Sequence, residues 1–191
     1  MTRRYRLTTM LWRGARLDAS LYEQVEHDPG HLGPAGAAVG LVALATGAGA
    51  GFFSLDRGGE AALTAFLLRF AGTWVGWFLW AAISLWVGTY LTAGRETRSS
   101  LGELLRVLAF AHVPWMLNLF LFVPLVGPAL FFLSSLWVLA AGVVAIRQAL
   151  DFTTTRAVAT VAIGWVVMIA MTLVLILISL ALGPRIGSLI P

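Results

Sequence analysis

Five long apolar stretches constrain this chain more than any other feature of its sequence. A transmembrane α-helix needs about 20 consecutive, mostly apolar residues, and stretches of that length run over 34–55, 70–93, 101–122, 128–150 and 157–182. The sequence therefore predicts an all-α, polytopic membrane protein, with a bundle of five transmembrane helices over residues 34–183. Residues 1–33 are predicted as a cytoplasmic N-terminal segment, and residues 184–191 as a short external tail.

The composition agrees with a protein whose natural solvent is lipid. Hydrophobic residues make up 59% of the 191 residues and charged residues only 12%, which is more apolar surface than a soluble domain of this size can bury. The basic residues are spread between the apolar stretches and form no stripe, so nucleic acid is not an expected partner. The absence of Cys excludes disulfides, thiol catalysis and Cys-ligated metals.

The positions of the basic residues predict the orientation in the membrane. All 13 are Arg, and most lie before the first stretch, between the second and third, or between the fourth and fifth. Only Arg57, Arg69 and Arg185 flank the opposite ends. Because basic residues concentrate on the cytoplasmic side, we expect a cytoplasmic N-terminus, an external C-terminus and insertion in the cytoplasmic (inner) membrane.

Residues 7–25 have the spacing of an amphipathic helix. Asp18 is the one exception in an apolar arc of roughly 140° on the helical wheel, which is formed by Leu7, Met10, Leu11, Leu17, Leu21, Tyr22 and Val25. Such a helix lies on a membrane surface, with Trp12 and the Arg side chains at headgroup level. The pattern predicts an interfacial helix on the lipid bilayer, which Asp28-Pro29-Gly30 ends.

The stretch LYEQVEHDPG (21–30) concentrates carboxylates beside the first apolar stretch. We expect it to contact the membrane surface or a partner through Leu21, Tyr22, Glu23, Val25, Glu26, Asp28 and Pro29. A metal site formed by His27, His31 and the neighbouring carboxylates is the alternative. It is disfavoured because Pro29 and Gly30 separate His31 from the others, so neither a metal nor a cofactor is predicted.

Polar residues within the third stretch form a second group of candidates. His112 and Asn118 are costly in a membrane unless they have partners, and Pro114 frees a backbone carbonyl near residue 110 that His112 can satisfy. Asn118 lies about as far before the turn between the third and fourth stretches as Ser134 and Ser135 lie after it, so we expect a hydrogen bond between the two helices. A proton-relay or transport role for His112 is the alternative.

The uncharged sequence VPLVGP (123–128) predicts that turn as a tight outer hairpin, with a re-entrant pair as the alternative. Arg106 before this turn and Arg147 after it are each about 20 residues away, which places both at the inner interface. Glu103 and Asp151 lie one helical turn beyond them. We therefore predict the ion pairs Glu103–Arg147 and Arg106–Asp151 beneath LYEQVEHDPG. Four independent charges reaching headgroup water are the alternative.

Small residues recur at four-residue spacing in the first two stretches. They are Ala43, Gly47 and Gly51 in the first, and Gly72 and Gly76 in the second. This spacing lets helix backbones approach closely. Packing within the chain is the simpler interpretation, and a dimer interface is the alternative.

Three segments cover much of the chain from Leu21 onward. They are LYEQVEHDPG (21–30), GELLRVLAFAHVPWML (102–117) and VVAIRQALDFTTTRAVATVAIGW (143–165). They resemble the opening, the central segment and the joint of the last two spans in bacterial members of the Yip (Ypt-interacting protein) membrane family. The resemblance implies five spans, a cytoplasmic N-terminus and a role in membrane organisation. Eukaryotic relatives are associated with membrane trafficking and Rab-class small GTPases.

No motif of a catalytic site is present: there is no P-loop, dinucleotide fingerprint or paired-His metal motif. No catalytic residue is therefore predicted. Our first hypothesis is a non-enzymatic membrane protein that acts through contacts with itself, with lipid or with another membrane protein. The alternative is a small transporter or channel that uses a broken third span around His112 and Pro114. Transporters usually carry ionisable residues near mid-bilayer, and here only His112 qualifies.

Overall fold

The apolar stretches form long helices in the computed structural model of the chain, which describes residues 6–92 and 99–187 without the side chains of 172, 175, 176 and 178–187. The α-helices are α1 (Leu7–Ala15), α2 (Ala19–His27), α3 (Leu32–Phe53), α4 (Gly59–Tyr90), α5 (Leu101–Ala111), α6 (Val126–Ala149) and α7 (Thr154–Gly187). Between them lie 3₁₀ helices at Pro29–His31, Leu55–Arg57 and Val113–Phe120. No strand occurs in the described residues.

Four helical stretches are long and apolar enough to cross a membrane. They are Pro29–Phe53, Gly59–Tyr90, Val126–Ala149 and Thr154–Met171. The predicted all-helical membrane fold is thereby confirmed, and these stretches correspond to four of the five predicted spans. The second begins well before residue 70, and α7 continues to Gly187, beyond the predicted start of the tail at residue 184. Residues 188–191 lie outside the described part.

The third predicted span is a broken helix. Here α5 is followed by the 3₁₀ helix Val113–Phe120, since Pro114 lacks the N–H that an α-helix needs. With rises of about 1.5 Å and 2.0 Å per residue, these 11 and 8 residues cover roughly 32 Å. The segment begins near α2 and ends where Phe122 packs on Phe52, with ring centroids 5.4 Å apart. It therefore joins the two ends of the bundle, although it is not one continuous helix.

Helix α5 lies at the centre of the bundle, where α1, α2, α3, α4 and α6 contact it. Nearly all of its circumference is buried, including Leu104, Val107, Leu108, Ala109, Phe110 and Ala111, each 0% exposed. Its apolar side chains are packed upon from several directions, and Arg106 is its buried charged residue. The packing of the other helices is therefore organised around α5.

Glycines bring α3 close to its neighbours. Gly47 and Gly51 pack against Phe66 of α4, and a Cβ on Gly49 would overlap the carbonyl oxygen of Asn118. The close helix approach predicted from the small residues thus occurs within the chain for those of α3. On the α4 side no such contact forms within the chain, because a Cβ on Gly72 or Gly76 would meet no atom within 4 Å. These two glycines face open space.

The N-terminal segment forms two helices where one was predicted over residues 7–25. The chain turns at Leu17, whose φ is 58°, and Asp18 then caps α2. This explains the carboxylate in the apolar arc, because Asp18 marks a helix start and not a helix interior. The arc itself faces protein: Met10 is 1% exposed, and the arc residues of α2 are 0% exposed. We call α1 and α2 together the docked segment.

Candidate functional site

Arg106 of α5 holds the C-terminal end of α2. Its Nε donates a hydrogen bond to the carbonyl of Val25 at 2.9 Å, and its Nη2 donates one to the carbonyl of Glu26. The last carbonyls of an α-helix lack partners within the helix and carry partial negative charge. A guanidinium meets both needs, since it is planar, charged and rich in donors. Arg106 is only 7% exposed, so this contact lies inside the protein.

Helix α6 binds the backbone of the docked segment in the same way. Trp137 Nε1 donates to the carbonyl of Ala15, the last residue of α1, at 2.8 Å. Gln148 Nε2 donates to the carbonyl of Ala19, the first residue of α2, at 3.5 Å. The docked segment is therefore attached to α5 and α6 through main-chain oxygens at three places along its length.

The apolar side of the docked segment is buried against the bundle. Leu21, Tyr22 and Val25 are all 0% exposed. The hydroxyl of Tyr22 donates to the carbonyl of Gly14 at 3.0 Å and joins α2 to α1. A Cβ on Gly14 would lie 2.9 Å from the carbonyl oxygen of Phe110, which shows how closely α1 approaches α5. These three predicted interaction residues are thus occupied within the chain.

Two carboxylates of the segment cap helices. Asp18 accepts a hydrogen bond from the backbone N–H of Ser20 at 3.0 Å and another from Arg13 Nε at 2.7 Å. The bond from Arg13 is the main reason that the pKa of Asp18 is lowered. Asp28 accepts from the N–H of Gly30 at 2.8 Å and so begins the next 3₁₀ helix. Both acidic residues therefore have structural roles at helix starts.

The remaining surface of α2 is polar and accessible. Ser20, Glu23, Gln24, His27 and Asp28 line a shallow, open groove, which we call the α2 polar face. The Nδ1 of His27 lies 2.8 Å from the carbonyl of Glu23, and this hydrogen bond raises the pKa of the imidazole. Pro29 is also exposed next to this face.

Glu26 lies between the α2 polar face and the protein interior. Burial raises the pKa of its carboxyl to about 7. The positive charge of His27 lowers this pKa, the negative charges of Asp151 and Glu103 raise it, and Arg106 lowers it. Three residues of the predicted inner cluster, Glu103, Arg106 and Asp151, therefore lie near Glu26 of LYEQVEHDPG.

They do not form the predicted pairs, however. Among the described residues no ion pair joins Glu103 to Arg147 or Arg106 to Asp151. Glu103 accepts from the N–H of Ser100 at 2.9 Å while the Ser100 hydroxyl accepts from the N–H of Glu103, which is a capping box at the start of α5. Arg147 and Asp151 are exposed. These residues lie at one end of the bundle, as their similar positions along the helices predicted, but their side chains do not face each other.

His112 bonds to a backbone carbonyl, as expected, but to that of Leu108, which also accepts the N–H of His112, and not to the carbonyl near residue 110 that Pro114 frees. Its Nδ1 lies 2.7 Å from the carbonyl of Leu108, one helical turn earlier. The ring meets the rings of Trp80 and Trp115 edge-on, with centroids 5.0 Å and 5.2 Å away. It is 1% exposed. Because Nδ1–H donates to the carbonyl in the neutral ring, Nε2 is left as an acceptor.

The hydrogen bond expected between the third and fourth spans is also present. Ser134 Oγ of α6 donates to Asn118 Oδ1 at 3.3 Å, and both residues are buried. Their similar distances from the turn at 123–128 bring them to about the same level. In this case the two side chains also face each other.

A cavity of about 510 Å³ lies between α4, α6 and α7. Its walls are mostly apolar, and it is open on one side. Gly76 and Trp80 line it from α4 and Trp165 from α7, while His112 borders its inner part. Arg69, near the start of the apolar part of α4, is the only charged residue among the described residues that line it. We call it the α4–α7 cavity.

Comparison with known families identifies the chain. A model of the Yip1 domain matches residues 19–178. The chain belongs to the Yip1 domain family. The match begins at Ala19, the first residue of α2, so the Yip1 domain includes the helix that Arg106 holds, and α1 precedes it. Neither a comparison with curated proteins nor one with solved structures finds a match.

The candidate metal residues of this Yip1 domain have other partners. His27 binds the carbonyl of Glu23, and His31 Nδ1 lies 3.3 Å from Asp28 Oδ2. Within residues 6–92 and 99–187 no group of three or more His, Asp or Glu residues is arranged to hold a metal ion.

Three features of the Yip1 domain were missed from the sequence. The capping box had a signal, because Ser100-x-x-Glu103 before an apolar run is its known pattern. The binding of Arg106 to carbonyls had no sequence signal, because every residue carries a carbonyl and the sequence does not mark which one is the acceptor. The α4–α7 cavity also had none, because it results from how three helices diverge.

Proposed function

We propose that this Yip1 domain protein is a non-enzymatic integral membrane protein that acts by binding another membrane protein through the α2 polar face. The observation that supports this is the attachment of α2 by Arg106. It fixes one side of a short helix to the bundle and presents the other side, with Glu23 and His27, to the outside. A rigid polar surface loses little conformational entropy on binding. The carboxylates favour a partner that offers positive charge and hydrogen-bond donors.

This proposal differs from simple adsorption on the bilayer. A helix that binds lipid offers its apolar side, whereas the apolar side of α2 is occupied by α5 and α6. The partner must then be recognised by polar groups. A protein surface can supply these groups in a fixed arrangement.

The test is photocrosslinking in native membranes from a benzophenone amino acid at Glu23. The matched control is the same amino acid at Glu60, an exposed carboxylate at the other end of the bundle. We expect one discrete protein adduct from position 23, absent from position 60 and lost when His27 and Asp28 are replaced by Arg. Adducts with lipid only, or the same adducts from both positions, would contradict the proposal.

We further propose five membrane crossings, with the N-terminus in the cytoplasm and the C-terminus outside, in the inner membrane. The Arg distribution supports the orientation, and the length of α5 with its 3₁₀ continuation supports the fifth crossing. Reporter fusions after Ser99 and after Pro191 are expected to lie on opposite sides. Fusions on the same side would show that residues 101–122 do not cross the membrane but enter it and return to the same side.

Transport is the second candidate function, because His112 lines the α4–α7 cavity. Its test is His112→Gln, which keeps a hydrogen-bonding side chain and removes the titratable ring. A pH-dependent flux in liposomes that this change abolishes would establish transport. We expect no such flux, because the Nδ1 of His112 is already bonded to a carbonyl.

A further inference from the structure

The α4–α7 cavity opens sideways, towards the space that lipid occupies around the bundle. On α6 and α7 its walls include Phe132, Leu136, Ile169 and Leu173, whose exposed fractions lie between 49% and 63%. Side chains of this type, half exposed on the outside of membrane-crossing helices, contact lipid. A molecule that enters this cavity therefore comes from the bilayer.

Gly76 keeps the α4 wall of the cavity open. Arg69, Gly76 and Trp80 lie seven and four residues apart, so they share one face of α4. A Cβ at position 76 would meet no atom within 4 Å. The wall is thus a recess between a cation and an indole ring. The volume of about 510 Å³ lies within the range of roughly 300–1,000 Å³ that is usual for small-ligand sites.

Arg69 gives the cavity a polar opening. It directly precedes the charge-free part of α4 from Phe70 to Tyr90, and its long, flexible side chain can carry the guanidinium towards the headgroups. Arg69 is exposed, and in the part of the chain that the structure describes no carboxylate pairs with it. Asp56 and Glu60 lie at the same end of the bundle but make no such contact. The opening therefore has an unmatched positive charge.

The inner part of the cavity is apolar and aromatic. Trp80, Trp115 and Trp165 line it together with His112, whose ring is held by the Leu108 carbonyl. Arg69 and Trp80 are 11 residues apart in one helix, or roughly 16 Å along its axis. The site is thus elongated, with a cation at one end and aromatic rings at the other.

We infer that the α4–α7 cavity binds one acyl chain of an anionic phospholipid, whose phosphate pairs with Arg69. In the recess at Gly76 the acyl chain contacts protein side chains in place of the neighbouring lipid chains. The phosphate forms a charge-assisted, bidentate hydrogen bond with the guanidinium. This site is independent of the α2 polar face, which lies at the opposite end of the bundle.

The test measures lipids that stay bound to the full-length protein after detergent purification. The protein is incubated with an equimolar mixture of phosphatidylglycerol and phosphatidylcholine of identical acyl chains, and the complexes are counted by native mass spectrometry. We expect the wild-type protein to retain phosphatidylglycerol with about tenfold preference. Arg69→Gln should reduce this preference to near parity, since it removes the positive charge and the bidentate pair of donors.

Gly76→Leu should lose bound lipid of both kinds, because the side chain fills the recess. The matched control is Gly72→Leu, the same change one helical turn away at a glycine that is also open but does not line the cavity. A thermal melt verifies that each variant is folded. Equal lipid retention by Gly76→Leu and Gly72→Leu, or a wild-type protein without preference, would overturn the inference. Retention of added oleate in place of phosphatidylglycerol would show a fatty-acid site instead.

Discussion

The guanidinium of Arg106 binds the carbonyl of Val25, 81 positions earlier in the chain, at 2.9 Å. The contact joins the central helix to the last turn of α2 and is buried. It therefore stabilises the position of α2 and not merely the helix itself. A buried acceptor that loses its donor costs about 1–3 kcal/mol, so this contact is a sensitive point for mutation.

Arg106→Leu is expected to release α2 from the bundle. The change leaves the carbonyls of Val25 and Glu26 without a donor, and should lower the free energy of unfolding by about 2–5 kcal/mol. Protease added to inside-out vesicles should then cut the docked segment. Arg147→Leu is the control, because Arg147 is exposed and makes no ion pair in the described structure. Equal resistance of both variants would contradict the role of Arg106.

Reversing the charges of Glu103 and Arg147 is expected to give additive losses. Glu103→Arg removes the capping box and should cost about 0.5–2 kcal/mol, while Arg147→Glu should change stability by less than about 0.5 kcal/mol. The melting temperatures of the two single variants and the double variant in detergent measure this. Recovery of stability in the double variant would show that the two side chains do meet.

The stability of the docked segment is expected to fall as the pH rises through about 7. Burial raises the pKa of Glu26 to about 7, with Asp151 and Glu103 adding to the effect and His27 and Arg106 opposing it. The folded state therefore binds more protons than the unfolded state between the ordinary pKa and the raised one. The contribution to stability is full at about pH 4 and is lost as Glu26 ionises.

Glu26→Gln isolates this effect. The variant should lose part of the decrease in protease resistance between about pH 5 and pH 8. The rest belongs to His27, whose raised pKa acts in the same direction because the Glu23 carbonyl favours the protonated ring. An unchanged pH profile in Glu26→Gln would exclude Glu26 as the titrating group.

Gly49→Ala is expected to be strongly destabilising. The added methyl group would overlap the carbonyl oxygen of Asn118, a backbone atom that cannot rotate away. Forcing α3 from the 3₁₀ helix should cost about 1–3 kcal/mol or more. Gly36→Ala, in the same helix, meets no atom within 4 Å and is the control. Similar melting temperatures for both variants would show that the close approach is not required.

Features that depend on the position of a residue along its helix could be predicted from the sequence. Features that depend on which side of the helix the residue faces could not. The bond from Ser134 to Asn118 and the gathering of Glu103, Arg147 and Asp151 at one end both follow from counting residues along helices. The pairs between charges failed because rotation of a helix about its axis is set by packing, which a count does not contain. The same reasoning explains why Gly47 and Gly76 looked alike, although one packs on Phe66 and the other faces a cavity.

Asp18 shows a different reason for failure. A wheel drawn over residues 7–25 assumes one unbroken helix, and the single acidic residue in its apolar arc was the sign that this assumption was wrong. Asp followed by Ala-Ser is a helix start, and the positive φ of Leu17 lets the chain reverse before it.

The attachment of α2 to α5 and α6 has a consequence for the order of synthesis. Arg106 and Gln148 follow their acceptors by 81 and 129 residues, so at about 5–20 residues per second the ribosome adds them roughly 4–25 s later. During this time the apolar side of the nascent α2 has none of these partners, and the bilayer surface is the apolar cover within reach. We expect the amphipathic pattern to serve the protein twice: first as a temporary membrane anchor during translation, and later as an internal packing surface.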